Sequence, residues 1–395
     1  MKKKLKKGIL KGISLNVLLL SITSLLNDIS GEMIAPLLPL FILAIGGAGI
    51  GIGLIGGIEE SFSVLLKFLS GYFSDRFGKR RLIVFSGYSL TAISRLFLPF
   101  AGIWQHVLAI RAFDRFGKGI RGAPRDAIIA DSIGKGQRGK AFGFHRLFDT
   151  SGAIIGSALA LVFFLFLGIN FQGIFLIAAL VAFLSLIPLI FVRDRKKARK
   201  NFSLKIGLKG LSGKFKIYLL VVGVFAFASF SYMFFILRAQ EVLGLSLEST
   251  LLIVLSLYVL FNIVYALFSL PAGMLSDKIG RKRTIMLGYG FYIAASAGFA
   301  FFSNIILVIA LFALYGLFNA FTDAIQRAFA SDLSKKEALG TGMGAFYTAI
   351  GVAALPANII AGFIWQFYGA QILFIYGAIV AFIALCMFAL LIKEK

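Results

Sequence analysis

The chain has 395 residues, of which 59% are hydrophobic and 15% charged, against roughly 45–50% and about 25% in soluble domains. A soluble globular or disordered protein is thereby excluded, and the bilayer must be its main solvent. The formal charge of +24 would suggest nucleic acid in a soluble protein, but here it is parcelled out at alternate ends of apolar stretches, which speaks against such a partner.

A membrane helix needs roughly 20 mostly apolar residues, and twelve such spans are expected near 15–44, 48–73, 82–101, 104–130, 140–168, 172–192, 216–241, 249–275, 284–302, 305–331, 340–366 and 372–393. They are long and continuously apolar rather than alternating over about ten residues, so they read as helices and not barrel strands. The expected fold class is all-α, a polytopic membrane protein. Lys2 to Lys11 precede the first span, Arg76 to Arg81 follow the second, Lys135 to Lys140 the fourth, Lys278 to Arg283 the eighth, and Lys335 and Lys336 the tenth. The opposite connections, such as Ile45 to Ile50 and Gln366 to Ala370, carry no Lys or Arg. The positive-inside rule puts both termini in the cytoplasm. Asn27, Asp28 and Glu32 lie within the first apolar stretch, and no small-residue cleavage site follows it, so it reads as a retained span and not a signal peptide.

The longest polar connection, from Arg193 to Lys216, divides the chain into a six-helix bundle at 1–192, a cytoplasmic linker at 193–216 and a second bundle at 217–395. The halves carry repeated signals. Gly71-Tyr72-Phe73-Ser74-Asp75-Arg76-Phe77-Gly78-Lys79-Arg80-Arg81 is echoed by Gly273-Met274-Leu275-Ser276-Asp277-Lys278-Ile279-Gly280-Arg281-Lys282-Arg283, displaced by 277 − 75 = 202 residues. Each copy is expected to be a short loop between two spans, its glycines permitting tight turns. Ala130-Asp131-Ser132 is likewise echoed by Ser331-Asp332-Leu333. Two parallel six-span halves with a site between them is one transporter architecture.

Both loop copies resemble the Gly-x-x-x-Asp-Arg/Lys-x-Gly-Arg/Lys-Arg/Lys signature of the major facilitator superfamily, and the stretch Asp114 to Asp126 is similar to a poorly characterised bacterial subgroup of it. The resemblance covers essentially the whole chain. It implies a secondary transporter in the bacterial cytoplasmic membrane that works by alternating access. It also implies that Gly71, Asp75, Arg76, Gly78 and Arg80, with Gly273, Asp277, Lys278, Gly280 and Arg281, form loops that latch the cytoplasmic gate. Arg111 or Arg115 takes the place of the fourth-span arginine found in many members. Gly152-Ala153-Ile154-Ile155-Gly156-Ser157 resembles the Gly-x-x-x-Gly-Pro element of exporters, with Ser157 in place of the proline; such spacing also serves ordinary close helix packing.

The fourth span is the most unusual. Arg111, Asp114, Arg115, Lys118, Arg121, Arg125 and Asp126 recur every three or four residues and form a stripe on one helical face. A charge at the bilayer centre costs roughly 2.5–3.5 kcal/mol, so the stripe must face water or charged partners. Two readings stand: a cation-lined vestibule for an anionic or phosphate-bearing cargo, or an internal network with Asp126, Asp131 and Asp149. Proton coupling needs a buried carboxylate reachable from both sides. The candidates are Asp28, Glu32, Glu59, Glu60 and Asp149, with Glu60 also able to pair with Lys67 seven residues on. Arg238 and Glu241 suit a simple ion pair. Asp323 and Arg327 are nearly the only other charges within the second half's spans. Tyr232, Tyr258, Tyr265 and Tyr347 are candidates for lining an amphipathic pocket.

No Gly-Lys-Ser/Thr nucleotide loop occurs, so the energy source is an ion or substrate gradient. His106 and His145 are too few and too far apart for a metal set, and Cys386 is alone. The expected protein is a monomeric, non-enzymatic carrier without cofactor, metal or nucleic acid. Its partners are a small-molecule substrate, a proton or other coupling ion, and membrane lipids. The leading function is proton-coupled export of an amphipathic small molecule, with an anion or lipid-phosphate carrier as one alternative and a non-transporting receptor or scaffold as another.

Overall fold

The computed structural model describes residues 13–77, 79–133, 138–193, 211–243, 247–334 and 339–392. Among these, the regular structure is helical and no strand occurs. The α-helices are α1 (Leu15–Ile34), α2 (Leu38–Ala44), α3 (Gly49–Phe77), α4 (Arg80–Phe97), α5 (Trp104–Asp131), α6 (Arg138–Leu167), α7 (Phe171–Leu184), α8 (Leu186–Ile190), α9 (Gly213–Ala228), α10 (Tyr232–Leu243), α11 (Leu247–Ile279), α12 (Arg281–Phe301), α13 (Ile305–Leu333), α14 (Leu339–Tyr368) and α15 (Ala370–Leu391). Joining α1 to α2, α7 to α8 and α9 to α10 as bent crossings gives twelve, as expected. Eleven are long and apolar enough to cross a membrane. The twelfth, α5, has 28 residues and departs only through its charged stripe.

Three spans expected to be continuous are broken, two at prolines and one by packing. Pro36 separates α1 from α2, and Pro39 sits in the first turn of α2; a proline ring removes a backbone donor and clashes with the preceding turn. Pro188 has the same effect after Ser185, whose hydroxyl donates to the Ala182 carbonyl at 2.6 Å. The third break, at Ser229–Ser231, contains no proline. Here the Tyr292 hydroxyl donates to the Ala228 carbonyl at 2.5 Å, and the Ser231 amide donates to Asn358 Oδ1 at 2.8 Å. Side chains from α12 and α14 thus take over groups that a helix would satisfy itself.

The repeated motif is also less of a loop than its glycines suggest. Helix α3 continues through Phe77 and α11 through Ile279, so Gly71, Asp75, Arg76, Gly273, Asp277 and Lys278 lie on helical backbone. The reversal in the second copy falls on Gly280, whose φ of 95° is a left-handed conformation that disfavours side chains. Gly78 and the linker residues 194–210 lie outside the described residues.

Packing repeats with the sequence. In the first half α1 lies along α6, and α3 and α4 both lie along α5; in the second, α9 lies along α14, and α11 and α12 along α13. Between the halves, α3 runs along α14, α6 along α11 and α2 along α10. The α3–α14 seam is tight because it is built of glycine: a Cβ on Gly53 would fall 2.2 Å from the Asn358 carbonyl oxygen, and one on Gly362 would fall 2.4 Å from that of Gly49. Within the first half, a Cβ on Gly156 would lie 2.4 Å from the Ile29 carbonyl oxygen, so the Gly152–Gly156 element seats α6 against α1.

Gly156→Val should push α6 off α1 and lower stability by about 1–3 kcal/mol, read as a drop in the thermal unfolding midpoint of the detergent-purified protein. An unchanged midpoint would refute the close approach.

Candidate functional site

Two carboxylates hold the charged stripe of α5 in place. Arg111 is 2% exposed; it donates through Nε to Glu59 of α3 and through Nη1 to Asp114 Oδ2 at 3.0 Å. Arg115 Nη2 reaches the other Glu59 oxygen at 2.9 Å. Arg95 of α4 stands 3.6 Å from Asp114 Oδ1 and donates to the Asn27 carbonyl of α1 at 2.9 Å. One cluster therefore ties together α1, α3, α4 and α5. Further along, Arg121 lies over the Tyr88 ring at 4.0 Å and donates to Thr91 Oγ1 at 2.7 Å. Arg125 is shared between Asp126 at 3.1 Å and Ser24 Oγ at 3.2 Å. Lys118 is different. It is exposed and, among the described residues, makes no ion pair or hydrogen bond.

Adjacent residues on a helix point about 100° apart, and this separates Glu59 from Glu60. Glu59 turns to the arginines of its own half, whereas Glu60 turns to the other half and accepts from Asn358 Nδ2 at 3.2 Å. Asn358 is the residue that caps the break before α10, so Glu60, Asn358 and Ser231 form one chain across the seam. Glu60 does not pair with Lys67, contrary to the expectation from spacing: Lys67 reaches Asp126 at 3.5 Å and lies over the Tyr347 ring at 5.7 Å. Glu32 follows the pattern of Glu60, accepting from the Tyr258 hydroxyl of α11 at 2.8 Å. Beside it, the Tyr232 hydroxyl donates to the Ala35 carbonyl at 3.1 Å.

Among the described residues, Asp28 has a single long hydrogen bond, from Asn27 Nδ2 at 3.5 Å. The charges acting on it are those of Asp149 on α6 and of Lys118, Arg121 and Arg125 on α5. Asp149 lies 3.7 Å from His145 Nε2, and His145 Nδ1 is 3.3 Å from Ser21 Oγ. Toward the other half, Arg146 Nη2 approaches the Tyr265 hydroxyl at 3.0 Å and Asp323 Oδ2 at 3.5 Å. Arg327 also holds Asp323, at 2.8 Å, and Arg238 meets Glu241 at 3.1 Å.

The repeated motifs meet matched partners. Arg80 pairs with Asp131 at 2.7 Å; Arg281 pairs with Asp332 at 3.4 Å and with Asp277 at 2.8 Å. The offsets are 281 − 80 = 201 and 332 − 131 = 201, one short of the motif's 202, so Arg281 occupies the motif position of Lys79 and the two contacts are made from adjacent motif positions. The side chains of Asp75 and Arg76 lie outside the described residues.

Spacing did not reveal Arg95, His145 as a neighbour of Asp149, Arg146 or Asn358. Arg95 and Arg146 had a signal, as basic residues inside apolar spans. Asn358 had almost none, since a single amide in a span is unremarkable until its partners are known.

A sequence profile of the Major Facilitator Superfamily matches residues 20–262 and 253–395. The chain belongs to that superfamily. This facilitator is 45% identical over 374 residues, 94% of both chains, to an uncharacterized MFS-type transporter of Methanocaldococcus jannaschii. A shorter stretch of 130 residues, 33% of this chain and 32% of the relative, is 32% identical to the multi-drug resistance efflux pump PmrA of Streptococcus pneumoniae. The crystal structure of the nucleoside transporter NupG superposes with a TM-score of 0.78 at 15% identity, covering 96% of this chain and 100% of the other, which speaks to the fold. The protein is thus an integral membrane transporter of the facilitator fold and not an enzyme.

Removing one partner of a buried ion cluster costs about 3–5 kcal/mol because the other charges are left uncompensated. Arg111→Met in this facilitator should therefore reduce the yield of monodisperse protein and lower its unfolding midpoint sharply. Lys67→Met breaks a half-exposed pair (39% and 32% side-chain exposure) and should cost under about 1 kcal/mol. Equal losses in the two variants would contradict the burial argument.

Proposed function

We propose that this facilitator is a proton-coupled secondary transporter that alternates between inward-open and outward-open forms and exports an amphipathic small molecule bound between its halves. One contrast carries the reading. Glu59 and Asp114 are bound by arginines of their own half, whereas Glu32 and Glu60 are each held by a neutral donor from the opposite half, Tyr258 and Asn358. A carboxylate whose partner is a neutral group across a moving seam gains or loses that partner as the halves rock. Its affinity for a proton then follows the conformation, which is what coupling requires.

The positive-inside rule supports an orientation in which the Gly49–Gly362 end of the seam faces outward and the Arg80 and Arg281 pairs face the cytoplasm. The glycine-tight outer end and the water-exposed Arg146–Asp323 contact, 55% and 41% exposed, suit an inward-facing form. Tyr232, Tyr258, Phe261 and Tyr265 supply an aromatic wall on the second half, with successive ring centroids 5.7, 5.7 and 6.3 Å apart. The outward direction is supported by the partial similarity to PmrA.

In everted membrane vesicles carrying a proton gradient, a panel of fluorescent amphiphiles of both charges should include compounds that are accumulated and that collapse the gradient. Glu32→Gln and Glu60→Gln should each abolish gradient-driven accumulation while leaving passive exchange of the same compound intact. Accumulation that still follows the proton gradient in the doubly substituted protein would sink the assignment.

A further inference from the structure

Lys118 of α5 and Asp28 of α1, two helices in contact, are opposite charges that make no ion pair among the described residues, and the cargo's chemistry can be read from them. Lys118 lies on the inner stripe of α5 between Arg115 and Arg121, while outward-facing neighbours such as Phe113, 60% exposed, address lipid. Each other cation of this stripe is occupied: Arg111 and Arg115 by Glu59, Arg121 by Thr91 and the Tyr88 ring, Arg125 by Asp126 and Ser24. Lys118 is exposed and, among the described residues, makes no ion pair or hydrogen bond. Asp28, on the facing helix α1, is the complementary case, with only the 3.5 Å contact from Asn27. The two charges act on each other, yet no direct ion pair joins them. Arg121 and Arg125, which also act on Asp28, are taken up instead by Thr91 and by Asp126 and Ser24.

We infer that the cargo is a zwitterion with an apolar ring system, its acidic group seated on Lys118 and its ammonium on Asp28, and its body against the aromatic wall of Tyr258, Phe261 and Tyr265. An open charge pair is complementary to a molecule carrying the reverse dipole, and less so to either charge alone, which would leave one protein group uncompensated. These neighbouring rings on the opposite half provide the apolar surface that such a body requires.

The inference rests on the carrier reading above and also connects with it. Glu32, one of the carboxylates given the proton in that reading, lies one helical turn from Asp28 and acts on the same Lys118. The charged groups acting on Asp28 are Asp149, Lys118, Arg121 and Arg125.

The test uses detergent-purified full-length protein without any gradient, so binding is read separately from coupling. Tryptophan, tryptamine and indolepropionate share one ring system and differ only in charge; their binding is measured by calorimetry or ligand-induced thermal shift. Tryptophan should bind about tenfold or more tighter than either singly charged relative. Lys118→Ala should bring tryptophan down to the level of tryptamine, with Lys118→Arg restoring much of the difference. Asp28→Asn should bring it down to the level of indolepropionate. Tryptophan binding no tighter than its relatives overturns the inference, as does an unchanged order in both variants. If gradient-driven transport fails while this binding pattern holds, the fault lies in the coupling assignment and not in the cargo class.

Discussion

The first half is organised around the pairing of Arg111 and Arg115 with Glu59, and of Arg111 and Arg95 with Asp114. Charges inside a bilayer are tolerated only when each is neutralised by a neighbour or by water. Here the neighbours come from different helices, so neutralising them fixes how α3, α4 and α5 sit relative to one another and, through the Asn27 carbonyl, where α1 sits. Among the described residues, the second half has no comparable cluster. It is packed through aromatic contacts instead, such as Phe225 stacked on Tyr289 at 3.7 Å and Phe235 on Tyr315 at 4.2 Å. The repeat thus preserves the helix arrangement while using two different sources of cohesion.

That division shapes the space between the halves. One wall presents charge, the other aromatic rings, and the carboxylates at the seam, Glu32 and Glu60, are met by hydroxyl and amide donors rather than by cations. Asn358 belongs to three structural features at once: it accepts from the backbone at the break in the seventh crossing, donates to Glu60, and presents its own carbonyl to Gly53. A change at Glu60 therefore reaches the bend before α10 through a single side chain. The bend exists because side chains from α12 and α14 replace the helix's own hydrogen bonds, which makes it a property of packing and not of the local sequence.

The basic motifs at the opposite end show how repetition reads in three dimensions. Arg80 with Asp131 and Arg281 with Asp332 tie the motif to the following even-numbered crossing in each half, from adjacent motif positions. In the second copy Asp277 joins the contact from one helical turn away. In the described residues the motif is mostly helical backbone, with Gly280 turning the chain in the second copy.

Much was legible from sequence because its causes are local. Hydropathy set the number and place of the crossings; the alternation of Lys and Arg suggested their orientation; the repeated motifs exposed the two halves and resembled the right superfamily. The charges that matter were also visible as a set, since an ionised residue in an apolar span must have a partner. Which partner was not visible. Glu60 shares a helix face with Lys67, yet Asn358, distant in sequence, takes it; Glu59, one residue away, goes to α5 instead. The breaks at Pro36 and Pro188 had a signal in the sequence, whereas the break at Ser229–Ser231 depended on Tyr292 and Asn358. Partnership between charges depends on which helices touch and at what height, and that is decided by packing among residues far apart in the chain, so only the tertiary structure separates the occupied arginines from the unoccupied Lys118.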